Sequence, residues 1–191
     1  TFTTTVNRTT PIPGDIAIAS QSGAYGSHIY MVAHERGLGI RYWMTTGNEV
    51  DLSVGETIQM MAEDPEVRTI MAYAESVKDG EQFTKALDAA RSEKKPVIFM
   101  KVGRSEVGAA AANSHTASLA GEDVIYDEVL RAHGAYRVKS TEEMLDIAYA
   151  TRAKTYPTGK NLGVVTISGG GGVLIADAAA DEGLTVGPMP Q

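Results

Sequence analysis

The sequence has no cysteine. That excludes disulfides and thiolate chemistry, and it fits a cytoplasmic protein. No apolar run approaches the about 20 residues needed to span a bilayer, and the start carries no signal-peptide pattern. Basic residues never form a block. With 17 Lys and Arg against 24 Asp and Glu, the net charge is −7, so neither nucleic acid nor an anionic membrane surface is an expected partner. No histidine and carboxylate set has metal-ligand spacing, so no protein-bound transition metal is expected. Aromatics are few, at 6%. The lone tryptophan, Trp43, falls inside a strand-like run and reads as core. What is plentiful is glycine, 20 in 191 residues, placed at the ends of the predicted strands.

The chain opens Thr1-Phe2-Thr3 rather than with methionine, and a fragment of a longer protein is expected. Residues 1–14, rich in threonine with two prolines, read as a linker or arm. From there strands and helices alternate. Asp15 to Ser20 is a buried strand, followed by a helix on Tyr25, Ile29, Val32 and Ala33 that Gly37 and Gly39 stop. Ile40 to Met44 is a second strand and Val54, Ile58 and Met61 a second helix. Thr69 to Ala74 is a third strand, closed by Glu75, with a helix on Phe83, Ala86, Leu87 and Ala90. Val97 to Met100 is the fourth. Ile125, Val129 and Ala132 mark a helix ended by Gly134, Ala135 to Val138 is a short fifth strand, and Ser140-Thr-Glu-Glu143 is a capping-box pattern. Such alternation predicts an α/β fold, a doubly wound parallel sheet of flavodoxin-like type over residues 15–153. A break at 154–160 follows. The pattern then restarts over 161–191, with a strand from Leu162 to Ile167, a turn at Ser168 to Gly172, a helix from Val173 to Asp181 and a strand from Leu184. This reads as the first β-α unit of a second α/β domain, too short to bury its own core.

One stretch stands apart. Lys101 to Ser105 leads through Gly108 and an alanine run to Asn113, Ser114, His115 and Thr116, with almost no large apolar side chain between Val107 and Leu119. A single imidazole sits between two hydroxyls, and histidine can act as nucleophile, base or acid near neutral pH. The plainer alternative is a turn cap or a solvated side chain. In an open parallel sheet, ligands bind at the carboxyl ends of the strands. Those ends carry Ser20 to Gly23, Gly47-Asn48, Glu75 and Gly103-Arg104, although any turn favours such residues. Ser22-Gly23 opens a helix after a strand, where unpaired N–H groups and the helix dipole favour an anion. Ser168, Gly169, Gly170, Gly171 and Gly172 repeat the device. Neither turn is a Walker or dinucleotide motif. Glu75 could hold one nitrogen of an imidazole and leave the other free to attack. It could equally be a helix cap or a solvated strand end.

Taken together and in order, Ser20-Gln-Ser-Gly23, Gly47-Asn48, Tyr73-Ala-Glu75 with Lys78-Asp-Gly80, Lys101-Val-Gly-Arg-Ser105, Ser114-His-Thr116 with Leu119-Ala-Gly121, and Ser168 to Gly172 resemble the nucleoside-diphosphate-forming acyl-CoA synthetases, relatives of the succinyl-CoA synthetase α subunit. The resemblance runs from about Gly14 to Gly187. It implies formation of an acyl-CoA from a small carboxylic acid, CoA and ATP, releasing ADP and phosphate, with Mg²⁺ accompanying the nucleotide. It implies that His115 carries the phosphoryl group and Glu75 supports it. Ser22, Gly23, Gly169, Gly170 and Gly171 would face phosphate, and Gly47, Asn48, Arg104, Ser114 and Thr116 would lie near substrate or CoA. CoA would be held mostly by a preceding Rossmann-like CoA-binding domain and the nucleotide by an ATP-grasp domain or subunit. Homo-oligomerisation stays open.

Two departures stand out. Ala117 follows His-Thr where the family often has glycine, and Ser168 with plain glycines replaces an Asn-Ala-Gly-Gly-Pro-Gly start. Neither removes a side chain the chemistry requires. The alternative reading is a non-catalytic module that senses CoA or phosphate, as in regulatory domains fused to acetyltransferases. Retention of both His115 and Glu75 argues against it. A flavin module is disfavoured because no aromatic pair sits at the strand-end loops.

Overall fold

The computed structural model describes residues 10–105, 107–108, 123–153 and 155–188. The chain divides into two compact units, Thr1–Arg152 and Ala153–Gln191. In the first, β1 (Ile16–Ser20), α1 (Gly23–Glu35), β2 (Ile40–Thr45), α2 (Val54–Glu63), β3 (Thr69–Ala74), α3 (Gly80–Ser92), β4 (Val97–Lys101), α4 (Asp123–Ala132), β5 (Tyr136–Arg137) and α5 (Thr141–Thr151) follow one another. The five strands make one sheet in the order β2-β1-β3-β4-β5, and every pairing is parallel. This is the flavodoxin-like order, doubly wound as expected.

Period two along the strands sends alternate residues to opposite faces. On one face Ala17, Ala19, Ala72, Ala74 and Phe99 pack with Val54, Ile58, Phe83 and Leu87 of α2 and α3 and with Leu130 of α4. On the other, Ile16, Ile18, Met71, Ile98 and Met100 pack with Ile29 and Ala33 of α1 and Met144, Leu145 and Ala148 of α5. The small alanines leave room for the helices to come close. A Cβ at Gly55 would stand 3.2 Å from the Phe83 Cα, so α2 and α3 meet there backbone to backbone. The central strands β1, β3 and β4 are buried throughout, whereas edge strand β2 is half-buried. Trp43, on that edge, is only half-buried rather than core. It stacks on Tyr30 with centroids 5.7 Å apart, and its indole nitrogen is buried without a partner among the described residues.

Two local signals resolve differently from their sequence pattern. Ser140 does cap α5, accepting from the Glu143 amide, but the Glu143 carboxylate accepts from the Lys139 amide instead of closing the box on Ser140. The complete reciprocal box is at Ser53 and Glu56, opening α2. Gly134 lies at φ 76°, the left-handed conformation that ends α4 and that glycine adopts without steric cost.

The second unit holds β6 (Asn161–Leu162), α6 (Gly169–Asp181) and β7 (Thr185–Val186), with β6 and β7 parallel. The strand expected through Ile167 stops at Leu162. In a two-stranded sheet only residues facing Thr185 and Val186 find ladder partners, and Val165 and Ile167 are exposed. The glycines expected as a turn lie inside α6, because Ser168 caps the helix ahead of them and takes the Gly171 N–H. No helix among the described residues is long and apolar enough to cross a membrane.

Candidate functional site

The chain leaves β1 outward to β2 and then returns to β3 on the other side of β1, so the strand order reverses between β1 and β3. That switch point is where open α/β sheets bind ligands, beyond the carboxyl ends of the strands. Three of the sequence candidates arrive there, Ser22, Gly23 and Glu75. Ser22, immediately after β1, caps α1, its hydroxyl accepting from the Tyr25 amide at 3.2 Å. The Ser20 hydroxyl donates to the Ser22 carbonyl at 2.7 Å, which holds the turn rigid. A Cβ at Gly23 would meet only the Thr45 methyl, at 3.7 Å. Glu75, the residue after β3, is 7% exposed, so it is not a solvated strand end, and the cap of α3 is Asp79 instead. Its charge is felt by its neighbour on the same face. The Tyr73 phenol is pushed up to about 12, first by burial and next by Glu75.

Gln21 joins these two ends; the sequence marked it only as part of the Ser20 to Gly23 strand end, with no role of its own. Its amide oxygen accepts from the backbone N–H of Glu75 at 2.6 Å and of Ser76 at 3.1 Å. Its amide nitrogen donates to the Ser76 carbonyl at 2.6 Å and to Glu49 Oε1 at 2.7 Å. The Glu49 carboxylate also accepts from the first amide of α2, Val54, at 2.7 Å.

Gly47 and Asn48 lie on the exposed loop after β2. Gly47 takes φ 55° and Glu49 φ 54°, and the loop is tied by Lys78, whose ammonium donates to the Asn48 carbonyl at 2.6 Å. Asn48 therefore contributes its backbone to that tie. Arg104 is turned toward Asp123, 3.6 Å away. Ser114, His115 and Thr116 lie outside the described residues. Gly169, Gly170 and Gly171 form the first turn of α6 in the second unit, and nothing stands within 4 Å of a Cβ placed at Gly169 or Gly170.

Beyond β4 lies a charged cluster; the sequence marked its Lys101 and Arg104 only as part of the small-residue stretch, not as a buried ion network. Lys101 is 1% exposed. Its ammonium donates to the Val102 carbonyl at 2.5 Å and stands 4.7 Å from the centroid of the Tyr126 ring. Burial holds it below the usual lysine range, and the charges of Asp123 and Glu75 partly oppose that. The signal was present: Lys101 shares strand parity with buried Phe99, so a period-two reading puts it on the core face. Arg137 of β5 pairs with Asp123 at 2.5 Å and Asp127 at 2.8 Å, fixing the start of α4 against the sheet. Tyr126 accepts from the Val77 amide at 3.2 Å. It also lines an apolar pocket of about 200 Å³ with Val77, Phe83, Ile125 and Val129.

Comparison with known proteins bears on this arrangement. The chain is 38% identical over 180 residues to the alpha subunit of acetate–CoA ligase (ADP-forming) I of Pyrococcus furiosus, covering 94% of this chain and 39% of the relative. It is 36% identical over 174 residues to 4-hydroxybutyrate–CoA ligase (ADP-forming) of Nitrosopumilus maritimus, covering 91% of this chain and 25% of the relative. Among solved structures, the dinucleotide-forming acetyl-coenzyme A synthetase 1 of Candidatus Korarchaeum cryptofilum, in complex with phosphate and ADP, superposes with a TM-score of 0.85 at 35% identity, over 94% of this chain and 39% of that one. The chain thus spans about a quarter to two-fifths of the length of the curated relatives it matches. The succinyl-CoA ligase like flavodoxin domain model matches residues 13–151. With the sheet order and the β1–β3 switch point agreeing, the chain belongs to the succinyl-CoA ligase-like flavodoxin domain family.

Proposed function

We propose that this chain is the phosphohistidine-bearing part of an ADP-forming acyl-CoA synthetase. Residues 15–153 are its flavodoxin-like domain, 154–160 a linker, and 161–191 the start of the next α/β domain. The observation that carries the reading is the meeting, at one switch point, of a buried carboxylate, Glu75, and a serine-capped helix start, Ser22-Gly23. The relatives named above as ADP-forming CoA ligases support it.

In the proposed reaction a neutral nitrogen of His115 attacks the γ-phosphorus of ATP and ADP leaves. The substrate carboxylate then attacks the phosphohistidine to give an acyl phosphate and free histidine. The CoA thiolate attacks the acyl carbonyl and phosphate departs. Glu75 holds the opposite ring nitrogen and balances the positive charge that develops on the ring. The N–H groups of Gly23 in α1, and of Gly169 and Gly170 in α6, donate to phosphate oxygens, while Gly171, whose N–H is taken by Ser168, leaves the approach to them open. Gly47, Asn48, Arg104, Ser114 and Thr116 line the approach of acid and CoA. Mg²⁺ enters with the nucleotide on an ATP-grasp domain or subunit, and CoA is held mainly by a CoA-binding domain. A cysteine-free chain with these substrates suits the cytoplasm.

The test is acid-labile phosphate on His115 after the complete ligase meets ATP and Mg²⁺. Labelling that survives His115→Ala, or acyl-CoA formation at the normal rate in that variant, sinks the mechanism.

A further inference from the structure

We infer that Gln21 is a positioning residue for the phosphoryl-transfer step, acting through Glu75; this rests on the role proposed above for Glu75. The backbone turn after β3 presents two donors, the N–H groups of Glu75 and Ser76, and one acceptor, the Ser76 carbonyl. A primary amide is the neutral side chain that can accept twice and donate twice. Gln21 uses all of that capacity. Its oxygen takes both N–H groups, at 2.6 and 3.1 Å, and its nitrogen serves the Ser76 carbonyl at 2.6 Å and Glu49 at 2.7 Å. The side chain is itself held in place, because Gln21 is 9% exposed and its own N–H donates to the Tyr73 carbonyl at 3.0 Å, prolonging the β1–β3 ladder. Glu49 braces it from a third strand end, its carboxylate shared with the Val54 amide.

Gln21 thus holds the Glu75 backbone just past the end of its strand at Ala74. Near-attack geometry is unforgiving, and a displacement of about 1 Å can cost about 100-fold in rate. A carboxylate at position 21 would keep the acceptor and lose both donors, facing Glu49 and a carbonyl. An apolar side chain of equal length would lose all of the bonds.

The experiment compares Gln21→Met, Glu75→Gln and the double variant in the complete ligase. Rapid-quench measurement follows phosphohistidine formation, steady-state assays give KM for the acid, and hydrogen exchange follows the amides of residues 75 and 76. In the unaltered enzyme those two amides are expected to exchange slowly. Gln21→Met is expected to speed their exchange at least about tenfold and to slow phosphoryl transfer about 10- to 100-fold, with KM within about twofold. In the Glu75→Gln background the same change costs less than about threefold, because the group it positions is already gone. An equal cost in both backgrounds means a merely structural role and overturns the inference. So does a normal rate of transfer in Gln21→Met when Glu75→Gln is slow. Unprotected amides in the unaltered enzyme, or exchange unchanged by Gln21→Met, overturn the clamp whatever Glu75 does. A normal rate in Glu75→Gln with those amides loosened by Gln21→Met removes the role of Glu75, and the inference falls with it. Should Gln21→Met not fold, Gln21→Glu, which loses both donors, takes its place in the rate comparison.

Discussion

Tyr73 offers a test of the switch point that needs no turnover. Its ring lies 4.4 Å from that of Tyr25, it is 8% exposed, and burial followed by the charge of Glu75 raises its phenol from 10.0 to about 12. In the folded chain the phenol keeps its proton to about pH 12, whereas the unfolded chain releases it near pH 10. Above pH 10 the unfolded state binds fewer protons, so stability falls as pH rises. The contribution is intact below pH 10 and lost as pH passes through 12. The gap of 12 − 10.0 = 2 pK units, at about 1.36 kcal/mol each, amounts to about 2.7 kcal/mol in full and about 1.4 kcal/mol at about pH 11. Other groups titrate in the same range. Burial also raises Tyr126, and it lowers Lys95 and Lys101, which act in the opposite sense. The comparison must therefore be with Tyr73→Phe, which keeps the ring and removes only the ionisable oxygen. Urea unfolding followed by circular dichroism at about pH 8 and about pH 11 should show the parent chain losing about 1.4 kcal/mol more than Tyr73→Phe. Parallel losses refute the reasoning. Repeated in the Glu75→Gln background, the difference should narrow, since the Glu75 charge, one of the pushes on the phenol beside burial and Tyr25, has been removed. A difference of the same size there would show that the charge of Glu75 does not reach Tyr73.

Gly26→Ala would bring a Cβ 2.5 Å from the Trp43 indole nitrogen and 3.1 Å from the Ser20 Cβ; it should cost about 1–3 kcal/mol and shift Trp43 fluorescence, and an unchanged Tm and spectrum would contradict that packing. Gly23→Val meets only the Thr45 methyl, so the fold should survive while binding of phosphate or sulfate at the α1 start weakens, and unaltered anion binding by ³¹P NMR titration would count against that cradle. In the complete ligase Glu75→Gln should slow acyl-CoA formation by about 10² to 10⁴; a normal rate would remove the role given to Glu75 and leave that of His115 standing. Residues 1–191 alone should form no ADP in an acid-dependent assay, and robust turnover by this chain would overturn its assignment as one part of a larger ligase.

Local pattern was enough to place the elements of the first unit, because hydrophobic period is set by neighbours a few residues away. Ile16 to Ser20 and Val97 to Met100 could only be buried strands, and Ser22-Gly23 could only open a helix once a strand ended at Ser20. Alternation of the two element types then pointed to a parallel sheet, since a helix between two strands is the crossover that carries the chain back to the edge from which the next strand runs in the same direction. The same locality explains the errors. The apolar pattern from Leu162 to Ile167 is strand-like, but a ladder needs a neighbouring strand, and past Leu162 β7 supplies none. The glycines after Ser168 look like a turn until the serine caps the helix in front of them.

Ser22, Gly23 and Glu75 were legible in the sequence, but what holds them together was decided only in three dimensions. Gln21 and Glu75 are 54 residues apart, and no spacing rule links a glutamine after one strand to a carboxylate after another. Their meeting follows from β1 and β3 being neighbours, which the alternation of elements does not dictate. Lys101 became a buried cation because Tyr126, from a helix beginning more than a strand's length further along, lies against it. Sequence distance carries no information about such pairs. Strand order does, and strand order is settled by how the two helical layers divide the sheet's faces between them.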